Sequence, residues 1–500
     1  MMKKRMGYSL AALLAVAILC GMLCGCASKK SEQAAAEQDV SMTTLRFPLI
    51  IGGELPGNWD KVEQACNAYL KEKLHLQLEF VQLDADTLVD YYLLQAPGEE
   101  TVDFVNLLSA ENYLSQMVEA GVLMPLNTLL AEKGQAITEI AGDCLAAGNL
   151  GGTQYMIPSV KDAYSFGCSV ECNAALVKKY GIDMASVHNL EDLEEILALL
   201  HEKEPDVISF AGNSTASGNT TLIGGVDRLT DSFGVLEIGA SGQEDDAYTV
   251  VDWYETDRFM EVSKMLYSWY QKGYISSEIL TTQRSASDLV REGEAFCCLS
   301  TIGPGADEGT DATNGGNIVE AALEDVPQLL TSNELGLSAI GISGSCKEPE
   351  KAMELLCLLY TDDYLVNLLS YGLENENYTL SVDGKVDQQG EYFLLYNQPM
   401  NQTLKNPLLS NGSDYQSYVE DFLDGEVRSL ALGFVFDQRP VKEEIAACEA
   451  VTDKYFPVID SGCVDPEKEI PKFVEALKEA GIDRILEEKQ EQLDRWRSGQ

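Results

Sequence analysis

Residues 45–80, LRFPLIIGGELPGNWDKVEQACNAYLKEKLHLQLEF, contain the pattern from which the fold can be inferred. The segment opens with the apolar run Leu45 to Ile51, which is typical of a buried strand. Small and apolar residues then recur at positions 62, 65, 66, 69 and 70, the spacing of a helix, and positions 76, 78 and 80 alternate with polar residues as in a second strand. A strand, a helix and a strand over this length predict a right-handed parallel crossover in an α/β sheet.

The alternation of strands and helices continues along the chain. Val102 to Leu108 has the composition of another buried strand, and a helical pattern follows it. Gly151-Gly152 is typical of a hairpin turn and leads to Met156-Ile157-Pro158, where we predict that the chain crosses into a second lobe. In that lobe Thr256 is placed to cap an amphipathic helix. The strand-like run Ala295 to Ser300 is expected to cross back.

The first residues of the chain have the pattern of a secretory leader. Three basic residues at positions 3–5 precede an apolar run from Leu10 to Leu23, which is shorter than the roughly twenty residues that a membrane-spanning helix needs. The run ends in Leu23-Cys24-Gly25-Cys26, which resembles the lipobox of bacterial lipoproteins. That resemblance implies cleavage of a signal peptide, residues 1–25, and acylation of Cys26. The alternative is an uncleaved anchor, and either way the body lies outside the cytoplasm.

The charge of the chain narrows the partners that it can bind. Eighty-one acidic residues against 35 Lys and Arg give a formal net charge of −46, which repels nucleic acid and anionic lipid head groups. The acids are scattered, as in a surface that keeps a protein soluble. Residues 26–44 combine the predicted lipidated cysteine with a polar segment that lacks apolar periodicity, and we interpret them as a flexible tether.

The cysteines do not form the pattern of a disulfide or metal framework. Three of the thirteen belong to the leader and lipobox, and several of the other ten occupy apolar positions of periodic segments. We therefore predict that most are free and buried. Cys168 and Cys172 have neither zinc spacing nor a nearby histidine, and the acidic loop Asp307 to Asn317 departs from the ligand order of an EF-hand. No metal and no cofactor is predicted.

Several motifs in the second half of the chain resemble one protein family. LSAIGI at 337–342 and KEPEKAME at 347–354 are similar to a strand and helix of the extracellular solute-binding proteins that serve ATP-binding-cassette importers. The run at 364–372 is similar to the element that comes next in that family. Runs that resemble one lipoprotein branch of the family lie at 121–126, 155–162, 433–437, 440–442, 464–467 and 480–483. Their order across more than four hundred residues carries the resemblance.

The resemblance implies an α/β, two-lobed periplasmic-binding-protein-like fold of type II, with a ligand cleft between the lobes. The expected boundaries are 45–158 plus about 296–345 for lobe 1, 159–295 plus about 346–432 for lobe 2, and 433–500 for a C-terminal helical segment packed on the lobes. It further implies a monomeric, lipid-anchored bacterial receptor on the outer face of the cytoplasmic membrane. Its partners would be a small solute, most often a mono- or oligosaccharide, and the permease subunits of the importer.

Aromatic residues near the expected cleft are candidates for binding a sugar, because the C–H faces of sugars stack on aromatic rings and their hydroxyls bind amides and carboxylates. The candidate ligand-binding residues are Trp59, Tyr113, Asp162, Trp253, Tyr254 and Tyr371. Ordinary packing is the alternative for each of the aromatic residues. Trp269 is excluded, because its helical register places it in the core.

Two other functions remain open. The three histidines are not spaced as a metal pair, and neither a G-x-S-x-G elbow nor a P-loop occurs, so we predict that the protein is not an enzyme. A surface glycan hydrolase, which needs only two carboxylates, is the first alternative. A ligand-binding sensor or adhesin without a transport role is the second.

Overall fold

The structure of the protein is a computed structural model that describes residues 42–50, 55–95, 101–212, 218–238, 246–282, 284–303, 317–388, 399–409 and 415–499. The predicted signal peptide, Cys26 and nearly all of the tether lie outside these residues, as does almost all of the acidic loop at 307–317. Among the described helices, none is long and apolar enough to cross a bilayer.

Strands and helices alternate along most of the described chain. The strands are β1 (Thr43–Ile50), β2 (Leu76–Leu83), β3 (Phe104–Ser109), β4 (Asn149–Leu150), β5 (Thr153–Gln154), β6 (Met156–Pro158), β7 (Gly167–Asn173), β8 (Ile208–Phe210), β9 (Val226–Asp227), β10 (Gly234–Glu237), β11 (Val251–Asp252), β12 (Ala295–Ile302), β13 (Ile318–Ala322), β14 (Leu329–Leu330), β15 (Leu337–Ile342), β16 (Tyr378–Leu380), β17 (Val386–Gln388) and β18 (Val427–Arg428). The helices are α1 (Trp59–Leu74), α2 (Leu88–Gln95), α3 (Ala110–Glu119), α4 (Asn127–Glu132), α5 (Gln135–Ala141), α6 (Ala174–Tyr180), α7 (Leu193–Lys203), α8 (Asn219–Leu222), α9 (Asp257–Gln271), α10 (Ala286–Glu292), α11 (Ser332–Gly336), α12 (Pro349–Thr361), α13 (Asp363–Tyr371), α14 (Tyr415–Asp424), α15 (Lys442–Asp460), α16 (Pro466–Ala480) and α17 (Ile482–Ser498).

The first lobe contains the predicted parallel crossover. β1 and β2 pair in parallel from Thr43 opposite Leu76 to Ile50 opposite Leu83, and α1 connects them. The helix buries Val62, Cys66 and Leu70, which are three positions of its sequence stripe, so the prediction is confirmed. A second sheet of the same lobe has the order β3-β15-β6, with β15 antiparallel to both neighbours.

The predicted hairpin turn lies where the sequence placed it. β4 and β5 pair in antiparallel fashion around Gly151 and Gly152. These residues have φ values of 59° and 84°, a left-handed conformation that favours glycine. The turn sends the chain into β6, the last strand of the first lobe before the crossing at 159–166.

The second lobe is built on a four-stranded sheet with the order β13-β7-β12-β8. β12 is antiparallel to β7 and parallel to β8. Helix α9 packs here, and the Thr256 side chain accepts a hydrogen bond from the amide of Phe259 at 3.2 Å, which confirms the predicted cap. Trp269 of that helix is fully buried, as its register predicted.

Two segments lie in the opposite lobe from the one that the sequence suggested. β12 and β13 were expected in lobe 1, but both belong to the second-lobe sheet, and the chain returns to lobe 1 only at 323–336. Helices α12 and α13 were expected in lobe 2, but their apolar faces join the core beneath β1 and β2. The reason is that both sheets need buried strands and covering helices, and an apolar run does not specify which sheet it joins.

The C-terminal helices pack mainly on the second lobe. Side chains of α15, α16 and α17 form one hydrophobic cluster with residues between Leu229 and Phe259. The segment also reaches the first lobe, because the Ser115 hydroxyl donates to the Phe436 carbonyl at 3.3 Å and the Lys442 ammonium pairs with Glu119 at 2.5 Å. The C-terminal helices therefore contact both lobes.

Candidate functional site

A cavity of about 920 Å³ lies between the two lobes and the C-terminal segment. Its first-lobe wall consists of Ser109, Asn112 and Tyr113, at the carboxyl end of β3 and the start of α3. This is the edge of an α/β sheet at which ligands bind. The hydroxyl of Ser109 hydrogen-bonds the Asn333 side chain at 3.2 Å, so the edge is tied to the segment that returns from the second lobe.

The second-lobe wall contains the segment 224–233, in which the short strand β9 leads into a loop with a constrained backbone. Leu229 and Thr230 have φ values of 50° and 87°, which side chains with a Cβ rarely adopt. The carboxylate of Asp227 accepts a hydrogen bond from the Leu229 amide at 3.0 Å and another from the Ser429 hydroxyl. The Thr230 hydroxyl accepts one from the Phe436 amide at 3.0 Å. Such backbone strain persists only where the surroundings fix it, and it concentrates at binding sites.

The third wall comes from the C-terminal segment. Helix α15 lines the cavity with Glu449, Asp453, Phe456 and Asp460. The Asp460 carboxylate is itself fixed, because it accepts hydrogen bonds from the backbone amides at the start of α8, at 2.8 Å each, and from a hydroxyl there at 2.7 Å. The helix is therefore bound firmly to the second lobe.

The aromatic residues of the cavity fall into two groups. Tyr113 and Phe166 have exposed fractions of 38 and 42 %, so each offers a ring face to the cavity. Trp253 and Tyr254 also line it, but they are 3 and 2 % exposed, and Tyr254 packs on Phe473 with ring centroids 4.6 Å apart. Tyr113 and Phe166 can therefore stack on a bound sugar ring, whereas Trp253 and Tyr254 form part of the cavity wall.

The charges that line the cavity are predominantly negative. The acidic residues are Asp227, Asp231, Glu334, Glu449, Asp453 and Asp460, and Arg228 is the single Lys or Arg among the described lining residues. Burial raises the pKa of Asp227, of Asp460 and of Glu449, where the Asp231 and Asp453 carboxylates raise it further. Burial also lowers the pKa of Arg228. Carboxylates and one guanidinium in a half-enclosed space suit a ligand with many hydroxyl groups.

Half of the predicted site residues line this cavity. They are Tyr113, Trp253 and Tyr254. Trp59 does not, because its ring is 7 % exposed and packs edge-on against Phe80 in the first-lobe core at 5.0 Å. The loop position of Trp59 suggested the cleft edge, but as the first residue of α1 it turns inward.

Asp162 and Tyr371 also lie away from the cavity lining. Asp162 is exposed on the segment that crosses between the lobes. Tyr371 is 8 % exposed, donates a hydrogen bond to the Asn406 carbonyl at 2.9 Å and packs against Tyr378. Its hydroxyl and its ring therefore both have partners within the first lobe.

Sequence reasoning did not identify Phe166, Arg228 or the α15 face. Phe166 lies at the end of the crossing that was predicted after Pro158, so its position near the cleft could have been inferred from the sequence. Arg228 lies in a loop without periodicity, and the α15 residues have the composition of an ordinary solvent-facing helix. Only the packing of α15 against the second lobe brings them to the cavity.

The sequence profile of one family, described as bacterial extracellular solute-binding protein, matches residues 59–365. The chain belongs to this family. A curated relative from Streptococcus pneumoniae serotype 4, named carbohydrate ABC transporter substrate-binding protein, is 27 % identical to this solute-binding protein over 99 % of both chains. Residues 430–498 match a second profile, described as a domain of unknown function.

Solved structures of solute-binding proteins resemble this one over most of its length. An N-glycan transport solute binding protein (NgtS) from S. pneumoniae, in complex with Man1GlcNAc, is 26 % identical, with a TM-score of 0.73 over 91 % of this chain and 99 % of that one. Its complex with Man5GlcNAc gives a TM-score of 0.70 over 92 % of this chain and 99 % of that one. An alginate-binding protein (AlgQ2), 15 % identical with a TM-score of 0.63 over 91 and 98 % of the chains, shares the fold. The expected two-lobed α/β fold is confirmed.

Proposed function

We propose that this solute-binding protein captures an oligosaccharide in the cavity between its lobes and delivers it to the permease of an ATP-binding-cassette importer. The observation that carries the proposal is the cavity itself, which combines two exposed aromatic rings with a wall of hydrogen-bonding side chains. Sugar rings stack on the former, and their hydroxyls bind the latter. The carbohydrate transporter relative, similar from end to end, supports the same solute class.

The size of the cavity favours a ligand of several sugar rings. About 920 Å³ is near the upper limit of pockets that enclose small molecules, roughly 300–1,000 Å³. Tyr113 lies on α3 of the first lobe and Phe166 at the end of the crossing that leads to the second lobe, so rings at separate positions of one oligosaccharide can stack on them. Glycans of the type bound by NgtS are the first class to test.

The protein works outside the cytoplasmic membrane, as its family does. We further propose that it is a monomer anchored by a lipid on Cys26, and that it binds its solute without chemical change. Incubating Man5GlcNAc with the protein should then produce no new reducing ends. Reducing ends that appear with turnover would favour a glycan hydrolase instead.

Binding can be tested by a thermal-shift screen followed by titration calorimetry. The screen should contain Man5GlcNAc, plant and fungal oligosaccharides, monosaccharides, amino acids and short peptides. A true ligand at a hundredfold above its dissociation constant should stabilise the protein by about 2.7 kcal/mol. Stabilisation by amino acids or peptides, and by none of the glycans, would contradict the proposal.

Small-angle scattering provides the second measurement. A ligand that contacts both lobes favours the closed form only by its greater affinity for that form. Addition of a confirmed glycan should therefore reduce the radius of gyration. An unchanged radius with saturated glycan would contradict closure of the lobes around the ligand.

A further inference from the structure

Arg228 has an unusual position among the residues that line the cavity. It is half-buried in the constrained loop at 224–233, next to the left-handed Leu229. Its neighbours in electrostatic range are Tyr254, Glu334 and Asp460, which also line the cavity. The guanidinium therefore lies where the second lobe, the returning segment and the C-terminal helix α15 meet.

Neither neighbouring carboxylate is bound to the guanidinium. Glu334 accepts hydrogen bonds from the amide of Thr331 at 2.9 Å and from its hydroxyl, in the capping box of α11. Asp460 accepts its bonds from the start of α8. Within the described part of the chain, the Arg228 side chain donates no hydrogen bond and forms no ion pair. Arg228 lines the cavity, and the five N–H donors of its side chain have no hydrogen-bond partner among the described residues.

We propose that Arg228 binds the glycan directly, by donating hydrogen bonds to hydroxyl, ring or carbonyl oxygens of a neutral oligosaccharide. This inference rests on the proposed function and names a contact residue and a charge preference for the same cavity. A planar guanidinium can bind two oxygens at once, which orients a sugar ring as well as holding it.

The preference for a neutral glycan follows from the surrounding charges. Six acidic side chains and one arginine line the described cavity wall. Even if half of the acids were protonated, negative charge would exceed positive charge. A ligand carboxylate would gain one attraction and meet several repulsions in a space with little water to screen them. Neutral hydroxyls donate to carboxylates and accept from the guanidinium, so they use both kinds of group.

The test compares Arg228→Gln and Arg228→Lys with wild type by calorimetry, using Man5GlcNAc. Arg284→Gln is the matched control, because Arg284 is an exposed arginine that pairs with Glu292 and Glu294 and is not among the residues that line the cavity. We expect affinity to fall at least about tenfold in both Arg228 variants, with unchanged melting temperatures. The control should bind like wild type.

A second comparison tests the charge preference with wild-type protein. Two derivatives of Man5GlcNAc are compared: reduction of its reducing end gives an alditol, and oxidation of the same end gives an aldonate. The terminal sugar ring is open in both derivatives, but only the aldonate carries a carboxylate. The alditol should bind at least about tenfold more tightly. An aldonate that binds as well or better would overturn the neutral-ligand inference.

The outcomes separate this inference from the proposed function. If wild type binds Man5GlcNAc and both Arg228 variants bind it equally well, Arg228 is not a contact residue and the receptor function stands. If wild type binds other glycans from the screen, the same variants are tested with the tightest of them. If it binds no glycan, the proposed function and this inference both fail.

Discussion

The ammonium of Lys489 lies 2.6 Å from Oδ1 of Asp231, so an ion pair joins the last helix to the loop that forms the second-lobe wall of the cavity. The Lys489 side chain is fully buried, and it also donates to the Gly234 carbonyl at 3.0 Å. Its ammonium lies 5.1 Å from the centre of the Phe436 ring. The C-terminal segment thus helps to hold the loop that carries Arg228.

Replacing Lys489 by Met should destabilise the protein strongly, because it leaves the Asp231 carboxylate without its cation. Removing one partner of a buried ion pair typically costs about 3 kcal/mol or more. We expect the urea midpoint to fall and glycan affinity to weaken with it. Lys478→Met is the control, since Lys478 pairs with Glu255 at the surface and exposed pairs contribute less than about 1 kcal/mol. Equal effects of the two variants would contradict this role of Lys489.

Addition of Asp231→Asn to Lys489→Met should restore part of the lost stability, because the double variant no longer contains an unpaired carboxylate. Glycan affinity should stay below that of wild type, since the loop has still lost its ionic contact to α17. A double variant with fully restored affinity would show that the pair stabilises the fold without positioning the loop.

Trp59 and Tyr113 should respond in opposite ways to replacement by Ala. Trp59 is buried, so its loss should reduce stability by about 3–5 kcal/mol and leave the dissociation constant of a confirmed glycan unchanged. Loss of the exposed Tyr113 ring should weaken binding by roughly 1–3 kcal/mol at nearly constant melting temperature. Tyr364→Ala is the control, because its exposed ring packs at a tilt against Tyr69 outside the cavity lining. Equal binding by wild type and Tyr113→Ala would contradict the stacking role.

Local elements of the fold were predictable wherever periodicity and end signals coincided. The crossover through α1, the Gly151-Gly152 turn and the Thr256 cap each combine a regular apolar pattern with a residue suited to a turn or cap. These signals come from residues within about forty positions of one another, so they can be recognised from local sequence alone.

Assignments that depend on distant packing could not be derived in this way. The sequence of β12 is typical of a buried strand and would suit either sheet. Only its pairing with β7 and β8 places it in the second lobe. Trp59 begins α1 just after the loop at the expected edge of the cleft, but the direction of its ring depends on its contact with Phe80 in β2. The Arg228 carbonyl accepts a hydrogen bond from Lys489 of α17, more than two hundred residues further along the chain, so its position depends on the C-terminal helices.

The ten body cysteines should all be reactive in denaturant without reduction. All are reduced in the structure, and six are buried: Cys66, Cys168, Cys172, Cys297, Cys298 and Cys448. Burial raises the pKa of the Cys66 thiol and of the Cys168 thiol to about 12 each, so brief alkylation of the native protein should spare them. Intact mass should show ten modifications after denaturation of the mature body. Pairs that resist alkylation until reduced would contradict the prediction.

Cys26→Ala should change the location of the protein. The lipobox-like sequence before Cys26 motivates the prediction that its thiol carries the membrane anchor. The variant should appear in the medium or retain its leader, and both outcomes are visible by fractionation and by the mass of the protein. Ser31→Ala, in the adjoining tether, serves as the control. Unchanged fractionation and mature mass in the cysteine variant would show that the anchor lies elsewhere.

The stability of the protein should depend on pH through Asp252. This side chain is 5 % exposed, and burial raises the pKa of its carboxyl to about 7, with a further increase from Glu255. Its Oδ1 accepts a hydrogen bond from the Tyr254 amide at 2.9 Å, while Oδ2 has no hydrogen-bond partner among the described residues. The folded protein therefore favours the protonated acid, whereas the unfolded chain ionises near the ordinary value of 3.8.

Between pH 4 and 7 the folded state holds a proton that the unfolded state has released, so the contribution of Asp252 to stability falls as the pH rises. The slope approaches about 1.4 kcal/mol per pH unit at most. Asp252→Asn keeps an oxygen to cap Tyr254 and cannot ionise, so its stability relative to wild type should increase from pH 5 to pH 7 and then level off. Urea unfolding of both proteins across this range measures the difference, in which the titration of the other acids largely cancels. A difference that stays constant with pH would show that Asp252 titrates alike in the folded and unfolded states.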